Sequence, residues 1–370
     1  MLNRRILRIK VMQAVYALRQ SEQSNYHAGL DYIKDVFSPD LNSMEKQDTA
    51  KLEALRAKAS EIYERCYEND LAFAEEDDTI RKSVETAIKD YHREREKDRH
   101  NFKKQMVTGV DKIEGLYIRS FNILTEVFNL SPLDSKASQS PLATLINKNK
   151  TISTNTGSSE AVLVKLQLVK TVKDFLKKDA AVAEYLAGEK NDLETDKKLA
   201  QHLVKELLLK DKALEVFFED YDLDWPENKS IVKNMVLKTI KNAQESDAEL
   251  ALMELSSNWE EDKEFFTELY DSTLANDKQL EEIVHKKLKN WDLERLAMID
   301  RILLKMALSE MIHFSSIPVK VTINEYIELS KLYSTPKSKQ FVNGILDSTS
   351  AELVESGVIK KSGRGLIDNK

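Results

Sequence analysis

The sequence predicts an all-α protein. Glycine and proline are scarce, with 9 and 6 residues in a chain of 370, and strands with tight turns consume glycine. Apolar residues recur at helical spacing in most segments, and no alternating apolar and polar stretch is long enough for a sheet. The chain is 41% hydrophobic and 32% charged, as in soluble globular proteins, and is long enough for two or three domains.

Composition also excludes several classes of protein. A single cysteine, Cys66, rules out an intramolecular disulfide or a cysteine-cluster metal site and fits a reducing compartment. The opening MLNRRILRIK lacks the apolar core of a secretory signal, and no run of about 18 apolar residues predicts a membrane span. We therefore expect a cytoplasmic protein.

Charge is unevenly distributed along the chain. The formal net charge is −7, yet residues 1–20 contain five lysines and arginines and no acid. A basic end on an acidic chain is typical of a protein that contacts RNA at one end only.

Residues 4–20 are predicted to form the first helix, with an apolar face near the 3.6-residue period. Arg4, Arg5 and Arg8 lie in its first two turns, where each cation opposes the helix dipole by about 0.3–1 kcal/mol. Such an unfavourable cluster indicates phosphate contact, and the alternative is a solvated, frayed helix end.

Long helices are expected to follow. Residues 25–37 predict a short amphipathic helix, and residues 43–67 a charged one. Charge dominates 70–105, where acids and bases alternate over 91–100 as on a solvated helix face rather than a nucleic-acid patch. Residues 112–130 are strongly apolar and predict a core helix.

Residues 131–160 are rich in Ser, Thr, Asn and Lys and predict a loop. Helices are expected again over 160–187, 193–218 and 227–245, the last starting at Asp224-Trp225-Pro226.

Short connections near the C-terminus predict an antiparallel bundle. Asp292 is expected to cap its second helix, Pro318 to open the third, and Ser334–Ser338 to cap the fourth with Pro336 near the first turn. The four helices are predicted over 260–289, 292–313, 319–333 and 336–356.

Two segments of this bundle are distinctive as sequence: Ile317–Glu325 (IPVKVTINE) and Phe341–Asp347 (FVNGILD). With Leu293, Arg295 and the stretch Ile302–Met311, they closely resemble the C-terminal half of the NusB family of bacterial transcription antitermination factors. A weaker resemblance links the N-terminal arginines and Gln13-Ala14-Val15-Tyr16 to that family's arginine-rich first helix. Two departures, Gln340 for a common lysine and Pro336-Lys337 for an acidic pair, leave the loop before the last helix more basic than usual.

The resemblance implies a NusB-like bundle of two packed antiparallel helical subdomains, with a large helical insertion in the N-terminal half. On this basis residues 1–24 are the first helix of the family core, 25–250 an insertion of unknown role, 251–356 the rest of the core, and 357–370 a basic tail.

The resemblance also implies a function: binding of boxA-like RNA together with NusE, a ribosomal small-subunit protein, in the RNA polymerase antitermination complex of ribosomal RNA operons. Single-stranded RNA requires cations for its phosphates and planar side chains for its bases. The candidate RNA-binding residues are Arg4, Arg5, Arg8, Lys10, Tyr16, Lys337, Lys339, Gln340 and Asn343, and Tyr333 is a further stacking candidate. The candidate partner-binding residues are Phe265, Phe266, Leu269 and Tyr270, although that spacing is more common in a core.

No enzyme signature is present: there is no glycine-rich phosphate loop, no G-x-S-x-G and no histidine pair at metal spacing, so we expect neither cofactor nor metal. Asn324, Glu325, Asn343 and Gly344 are expected to have structural roles first, with Gly344 permitting close helix approach. Two alternatives remain. One is a helical protein–protein scaffold in transcription or ribosome assembly with secondary RNA binding. The other is the NusB-like accessory domain of an RNA methyltransferase.

Overall fold

The computed structural model of the chain describes residues 2–42, 44, 47–68, 73–154, 162–165, 167–188, 192–288 and 296–367. These residues form helices and connecting turns and no strand, which confirms the all-α prediction. The α-helices are α1 (Arg4–Val36), α2 (Thr49–Cys66), α3 (Asp78–Phe128), α4 (Asp134–Ala137), α5 (Pro141–Lys148), α6 (Lys150–Thr154), α7 (Val162–Lys165), α8 (Val169–Lys178), α9 (Ala180–Ala187), α10 (Leu193–Leu203), α11 (Lys212–Tyr221), α12 (Trp225–Asn242), α13 (Trp259–Ala275), α14 (Asp277–Lys287), α15 (Met298–His313), α16 (Val319–Tyr333) and α17 (Ser338–Glu355). A π-helical turn, Val204–Leu208, follows α10, and a 3-10 turn spans Gly363–Leu366.

The chain divides into two compact units, each assembled from two stretches of sequence. The first unit contains residues 1–7 and 107–263, and the second unit contains residues 8–106 and 264–370. Compactness therefore groups α2 and most of α3 with α14–α17. The boundaries expected at 24, 250 and 356 follow from the resemblance and not from compactness, and they stay a prediction.

Helix α1 is continuous, whereas the sequence predicted a break between residues 20 and 25. The weak helix formers in that stretch bond to α3: the hydroxyl of Ser21 and the amide of Asn25 both donate to Asp98, the amide at 2.9 Å. Tertiary contacts of this kind stabilise a helix where intrinsic propensity is low.

Helix α3 is also continuous, through residues 105–112 where two helices were expected. The buried side chains of Met106, Val110 and Ile113 continue its apolar stripe at helical spacing. This continuous buried stripe explains why the helix does not break between its charged half and its apolar half.

The loop expected over 131–160 is wrong for residues 134–154, which form α4, α5 and α6. Its polar residues act as helix caps: Ser140 accepts the N–H of Ala143 at 3.0 Å, and Asn149 accepts that of Ile152 at 3.0 Å. Capping satisfies N–H groups that the first helical turn leaves free. Residues 155–161 lie outside the described residues.

Three of the longer predicted helices are shorter in the structure. Asp179 caps α9, and Asp211 caps α11, each accepting two backbone N–H groups, so the spans expected over 160–187 and 193–218 are divided. The span expected over 260–289 is divided at Asn276, which precedes α14. Pro226 lies in the first turn of α12, as expected.

The core of the first unit is built around α3 and α12. The hydroxyl of Tyr117 lies 2.5 Å from that of Thr239 and accepts the N–H of Met253 at 3.0 Å. Phe218 stacks on Trp225 with ring centroids 4.4 Å apart. The contacts of Tyr117 join the apolar half of α3 to residues more than a hundred positions later.

In the second unit, α15 is almost entirely buried, and α16 spans the residues predicted for it. Helix α17 begins at Ser338, so Pro336 precedes the helix and does not lie in its first turn. The cap expected at Asp292 lies outside the described residues. Gly344 is exposed, and a Cβ there would meet no atom within 4 Å, so the close helix approach expected at this glycine is wrong.

The segment after α17 packs against the connection between α15 and α16. The N–H of Ser362 donates to the carbonyl of Ser315 at 3.0 Å, and the amine of Lys361 donates to that of Phe314 at 2.9 Å. Ile359, two residues before Lys361 in the sequence, is also buried. Residues 357–367 are thus an integral part of the second unit.

Candidate functional site

The arginines at the start of α1 have different environments. Arg4 and Arg5 are partly exposed, and the guanidinium of Arg4 lies 2.6 Å from the carboxylate of Glu261, which is largely exposed. An ion pair in contact with water contributes about 0–1 kcal/mol and is readily exchanged. Phosphate groups can therefore compete for Arg4.

Arg8 is buried, with 2% of its surface exposed. Its Nε and Nη2 donate to the two carboxylate oxygens of Glu310, each at 2.7 Å, and Glu310 is fully buried. Burial disfavours the charged form, but the attraction and hydrogen bonds of Glu310 outweigh it and raise the pKa of Arg8 above its ordinary value. The expected phosphate contact of Arg8 is therefore corrected: its guanidinium is engaged inside the second unit.

Glu310 lies at the centre of a buried cluster that also contains Arg8, Thr322 and Tyr326. It also accepts the hydroxyl of Thr322 at 2.8 Å and that of Tyr326 at 3.2 Å. Burial and the neighbouring carboxylate raise the pKa of Tyr326 well above its ordinary value. The cluster fastens α1 to α15 and α16, so the geometry assigns Arg8 an anchoring role.

Lys10 is also buried, with 3% of its surface exposed, so the expected RNA contact of Lys10 is corrected in the same way. Tyr16 keeps 39% of its surface exposed, as a stacking residue must. Tyr333, at the end of α16, is partly exposed.

The loop before α17 presents cations to solvent. Lys337, Lys339 and Gln340 are exposed, and Asn343 is partly exposed one turn further on. Within the described part of the chain, neither lysine has a carboxylate partner. Free amines on a fixed loop are suited to phosphate contact.

A buried serine fixes this loop. The hydroxyl of Ser338 donates to Asp300 of α15 at 2.6 Å, and both residues are buried. The hydroxyls of Ser334 and Thr335 lie 2.9 and 2.8 Å from that of Ser338. The sequence predicted a cap and basic residues in this segment but not this clamp, because Asp300 is 38 residues away.

The structure gives the four expected partner residues a core position, and their partner role stays a prediction. Phe265, Phe266, Leu269 and Tyr270 of α13 are all buried in the second unit. Phe265 packs edge-on against Phe314 at 5.3 Å, and the hydroxyl of Tyr270 donates to the carbonyl of Arg99 at 3.1 Å. Their spacing marks a core face.

The second unit also contains a chain of alternating charges, which we call the charge chain and which the sequence did not predict. Its contacts include Arg95 to Glu22 at 2.7 Å and Arg19 to Asp277 at 2.5 Å. The charge chain consists, in order of contact, of Arg95, Glu22, Arg19, Asp277, Lys305, Glu281 and Arg301. Burial alone would raise the pKa of Asp277, but Arg19 and Lys305 hold that pKa below its ordinary value.

The charge chain lies along a cleft of about 890 Å³, which Tyr67 and Tyr91 also line. Because the charges along it are paired with one another, they serve first to join α3, α1, α14 and α15. Among the described residues, no cluster of His, Cys, Asp and Glu could hold a metal ion, and no helix is long and apolar enough to cross a membrane.

Comparison with known proteins gives a consistent result. The NusB family pattern matches residues 231–351, beginning in α12, before the boundary expected at 251. A transcription antitermination protein NusB of Salinibacter ruber is 41% identical over 141 residues, covering 36% of this chain and 88% of that protein.

Two further relatives with the same name match over less of their length. That of Chloroherpeton thalassium is 45% identical over 106 residues, covering 29% of this chain and 50% of that protein. That of Oleidesulfovibrio alaskensis is 43% identical over 95 residues, covering 26% of this chain and 61% of that protein. The solved structure of T. maritima NusB is 27% identical, covers 42% of this chain and 91% of its own, and has a TM-score of 0.24.

Proposed function

The chain belongs to the NusB family, and from this premise we propose that it is an RNA-binding transcription antitermination factor. In this proposal it binds boxA-like single-stranded RNA together with NusE, joins the RNA polymerase antitermination complex and supports transcription of ribosomal RNA operons. The names of the relatives support the antitermination role.

The observation that carries the proposal is the loop before α17. Lys337 and Lys339 are exposed there and have no carboxylate partner among the described residues, while Ser338 between them is held by Asp300. A fixed backbone with two free amines lowers the entropy lost when a flexible strand is bound. Gln340 and Asn343 follow on α17, where they offer hydrogen bonds to base edges.

At the other end of the chain, Arg4 and Arg5 are the proposed phosphate contacts of α1, and exposed Tyr16 is the proposed stacking residue. Arg8 and Lys10 are left out of the contact set because both are buried. Arg8 instead holds the first turns of α1 against Glu310.

The test is binding of a fluorescent boxA-like RNA across a salt series, with and without NusE. For single strands the log–log salt slope changes by about 0.7 for each phosphate neutralised. We expect a steep slope, tighter binding with NusE, and a slope shallower by about 1.4 for the variant Arg4→Ala/Arg5→Ala. The variant Lys337→Ala/Lys339→Ala should reduce the salt slope by a similar amount.

The matched control is Lys82→Ala/Lys97→Ala, which removes two exposed lysines of α3 that pair with Asp78 and Glu94. It changes net charge equally and should leave the slope unchanged. If the arginine variant binds RNA as tightly as this control, the assignment of Arg4 and Arg5 is wrong.

The scaffold alternative makes a different prediction for the same experiment. Interleaved acids and bases on α3, with pairs such as Arg93 to Asp90 at 2.6 Å, are suited to protein contact rather than to RNA. No RNA binding with or without NusE, while NusE itself still binds, would favour that function.

A further inference from the structure

Helix α8 of the first unit has a cationic face that the family pattern does not include. Its sequence, VKTVKDFLKK, has four lysines and one acid, Asp174. At about 100° per residue the lysines and Asp174 fall on one side, and Val172 and Leu176, both buried, fall on the other. The apolar side fixes the helix to its unit, and the lysine side is turned outward.

These lysines are available to a ligand. Lys170, Lys177 and Lys178 are exposed and Lys173 is partly exposed. None of the four amines has a side-chain hydrogen bond or a carboxylate partner within the described residues. By contrast, two lysines on other helices of this unit are paired: Lys197 of α10 with Glu194 at 2.7 Å, and Lys229 of α12 with Glu215 at 2.8 Å.

Apart from Asp174 on the face itself, the acid that follows the helix is already engaged. Asp179 follows Lys178 directly, but its carboxylate caps α9 by accepting the N–H groups of Ala181 and Val182. Its second oxygen lies 2.9 Å from the imidazole of His202. The cationic face therefore keeps its charge.

The face is a local exception in an acidic unit. Residues 107–263 contain 21 lysines and arginines against 27 aspartates and glutamates, whereas α8 has four lysines against one aspartate. Such a face attracts polyanions over a distance of about 10 Å at 0.1 M salt.

We propose that the lysine face of α8 binds the phosphodiester backbone of RNA without reading its sequence. Residues 170–178 rise by about 12 Å, because each helical residue adds about 1.5 Å, and phosphates recur within that length along one strand. Lysine is a point charge that contacts phosphate without fixed geometry, and α8 has no arginine to recognise a base.

An anionic membrane surface is the less suitable polyanion. A helix that lies in a membrane interface inserts its apolar face into lipid, and here that face is occupied by the core of the first unit. RNA backbone requires only the lysine side. The inference goes beyond the proposed function, because it gives an RNA contact to residues outside the family pattern, which begins at 231.

The experiment uses the full chain and a 20-nucleotide oligouridylate that lacks any boxA-like element. Affinity is measured by fluorescence anisotropy across a salt series for the wild type and for Lys170→Gln/Lys173→Gln/Lys177→Gln/Lys178→Gln. Glutamine is nearly as good a helix former as lysine, and helicity and melting temperature verify folding. Loss of two phosphate contacts should weaken binding about 25-fold at 0.1 M salt and reduce the slope by about 1.4.

The control removes four exposed lysines from α2 and α3, namely Lys51, Lys82, Lys89 and Lys97, and so matches the change in net charge. A reduced slope in the α8 variant alone supports the proposal. Equal effects in both variants, or none in either, overturn it. The variant Arg4→Ala/Arg5→Ala, measured with boxA-like RNA, reports separately on the proposed function, so failure of one does not imply failure of the other.

Discussion

Arg8 and Glu310 meet through two parallel hydrogen bonds of 2.7 Å, although 302 residues separate them in the chain. Both side chains are buried, so each charged group has lost its contacts with water and is stabilised by the other group instead. Removing Arg8 leaves a buried carboxylate without a cation, and removing Glu310 leaves buried Arg8 with only the more distant carboxylate of Glu325, at 3.6 Å.

We therefore expect Glu310→Ala to lower the free energy of unfolding by about 3–5 kcal/mol, measured by urea denaturation. Arg4→Ala is the comparison, because its pair with Glu261 is in contact with water and contributes about 0–1 kcal/mol. If the two variants unfolded at the same urea concentration, the buried pair would not be the anchor of α1.

Replacement of Gly344, unlike that of Glu310, is expected to increase the free energy of unfolding. It lies inside α17, it is exposed, and a Cβ there meets no atom. Gly344→Ala should raise the free energy of unfolding by about 1 kcal/mol, because alanine is the better helix former.

The comparison for Gly344 is Gly29 in α1, where an added Cβ would lie 2.2 Å from the hydroxyl of buried Tyr63. Gly29→Ala should destabilise by about 1–3 kcal/mol in spite of the same gain in helix propensity. Thermal unfolding of both variants checks the two signs together. Destabilisation by Gly344→Ala would show that this glycine has a packing role.

The lowered pKa of Asp277 leads to a prediction of how the stability of the protein depends on pH. Its pKa in the folded protein is held below its ordinary value of 3.8, despite burial, by Arg19 and Lys305. The folded state therefore binds fewer protons than the unfolded state in this range, so Asp277 stabilises the protein above pH 3.8 and loses this effect as pH falls through its folded pKa.

Replacement of Asp277 by Asn removes the group that titrates. The loss of stability on acidification below about pH 5 should be smaller in Asp277→Asn, as measured by urea unfolding at several pH values. Identical pH profiles for the variant and the wild type would contradict the proposed interaction with Arg19 and Lys305.

Ser338 connects stability to RNA binding. Ser338→Ala removes the hydroxyl that Asp300 accepts at 2.6 Å, and the other oxygen of Asp300 is buried without a hydrogen bond to any described residue. An unsatisfied buried carboxylate costs about 1–3 kcal/mol or more, and the loop should lose its fixed position.

We expect Ser338→Ala to weaken boxA-like RNA binding several-fold with Lys337 and Lys339 still present. Ser348→Ala is the control, since Ser348 is exposed on α17 and bonds only within its own helix among the described residues. Unchanged RNA affinity in Ser338→Ala would show that the loop does not need its clamp.

The sequence predicts some features of this chain well because the information is local. Helix α16 matches its predicted bounds because Pro318 opens it and an amphipathic pattern continues to Tyr333. The continuity of α1 was not predictable, because Ser21 and Asn25 are stabilised by Asp98, more than 70 residues away.

The site was predicted in part for the same reason. Exposed Lys337 and Lys339 lie in a segment whose local composition already suggests a loop. Arg8 looks the same as Arg4 and Arg5 in sequence, and only the distant Glu310 distinguishes them. Residues whose environment is set by distant partners cannot be assigned from a helical pattern alone.

The charge chain from Arg95 to Arg301 has a consequence for how related sequences diverge. Each inner member touches two neighbours of opposite sign. A single reversal, such as Glu22→Lys, would place a new cation between Arg95 and Arg19 and so leave three like charges in contact. Changes at these seven positions should therefore be inherited in compensating sets, and covariation between α1, α3, α14 and α15 should be strongest there.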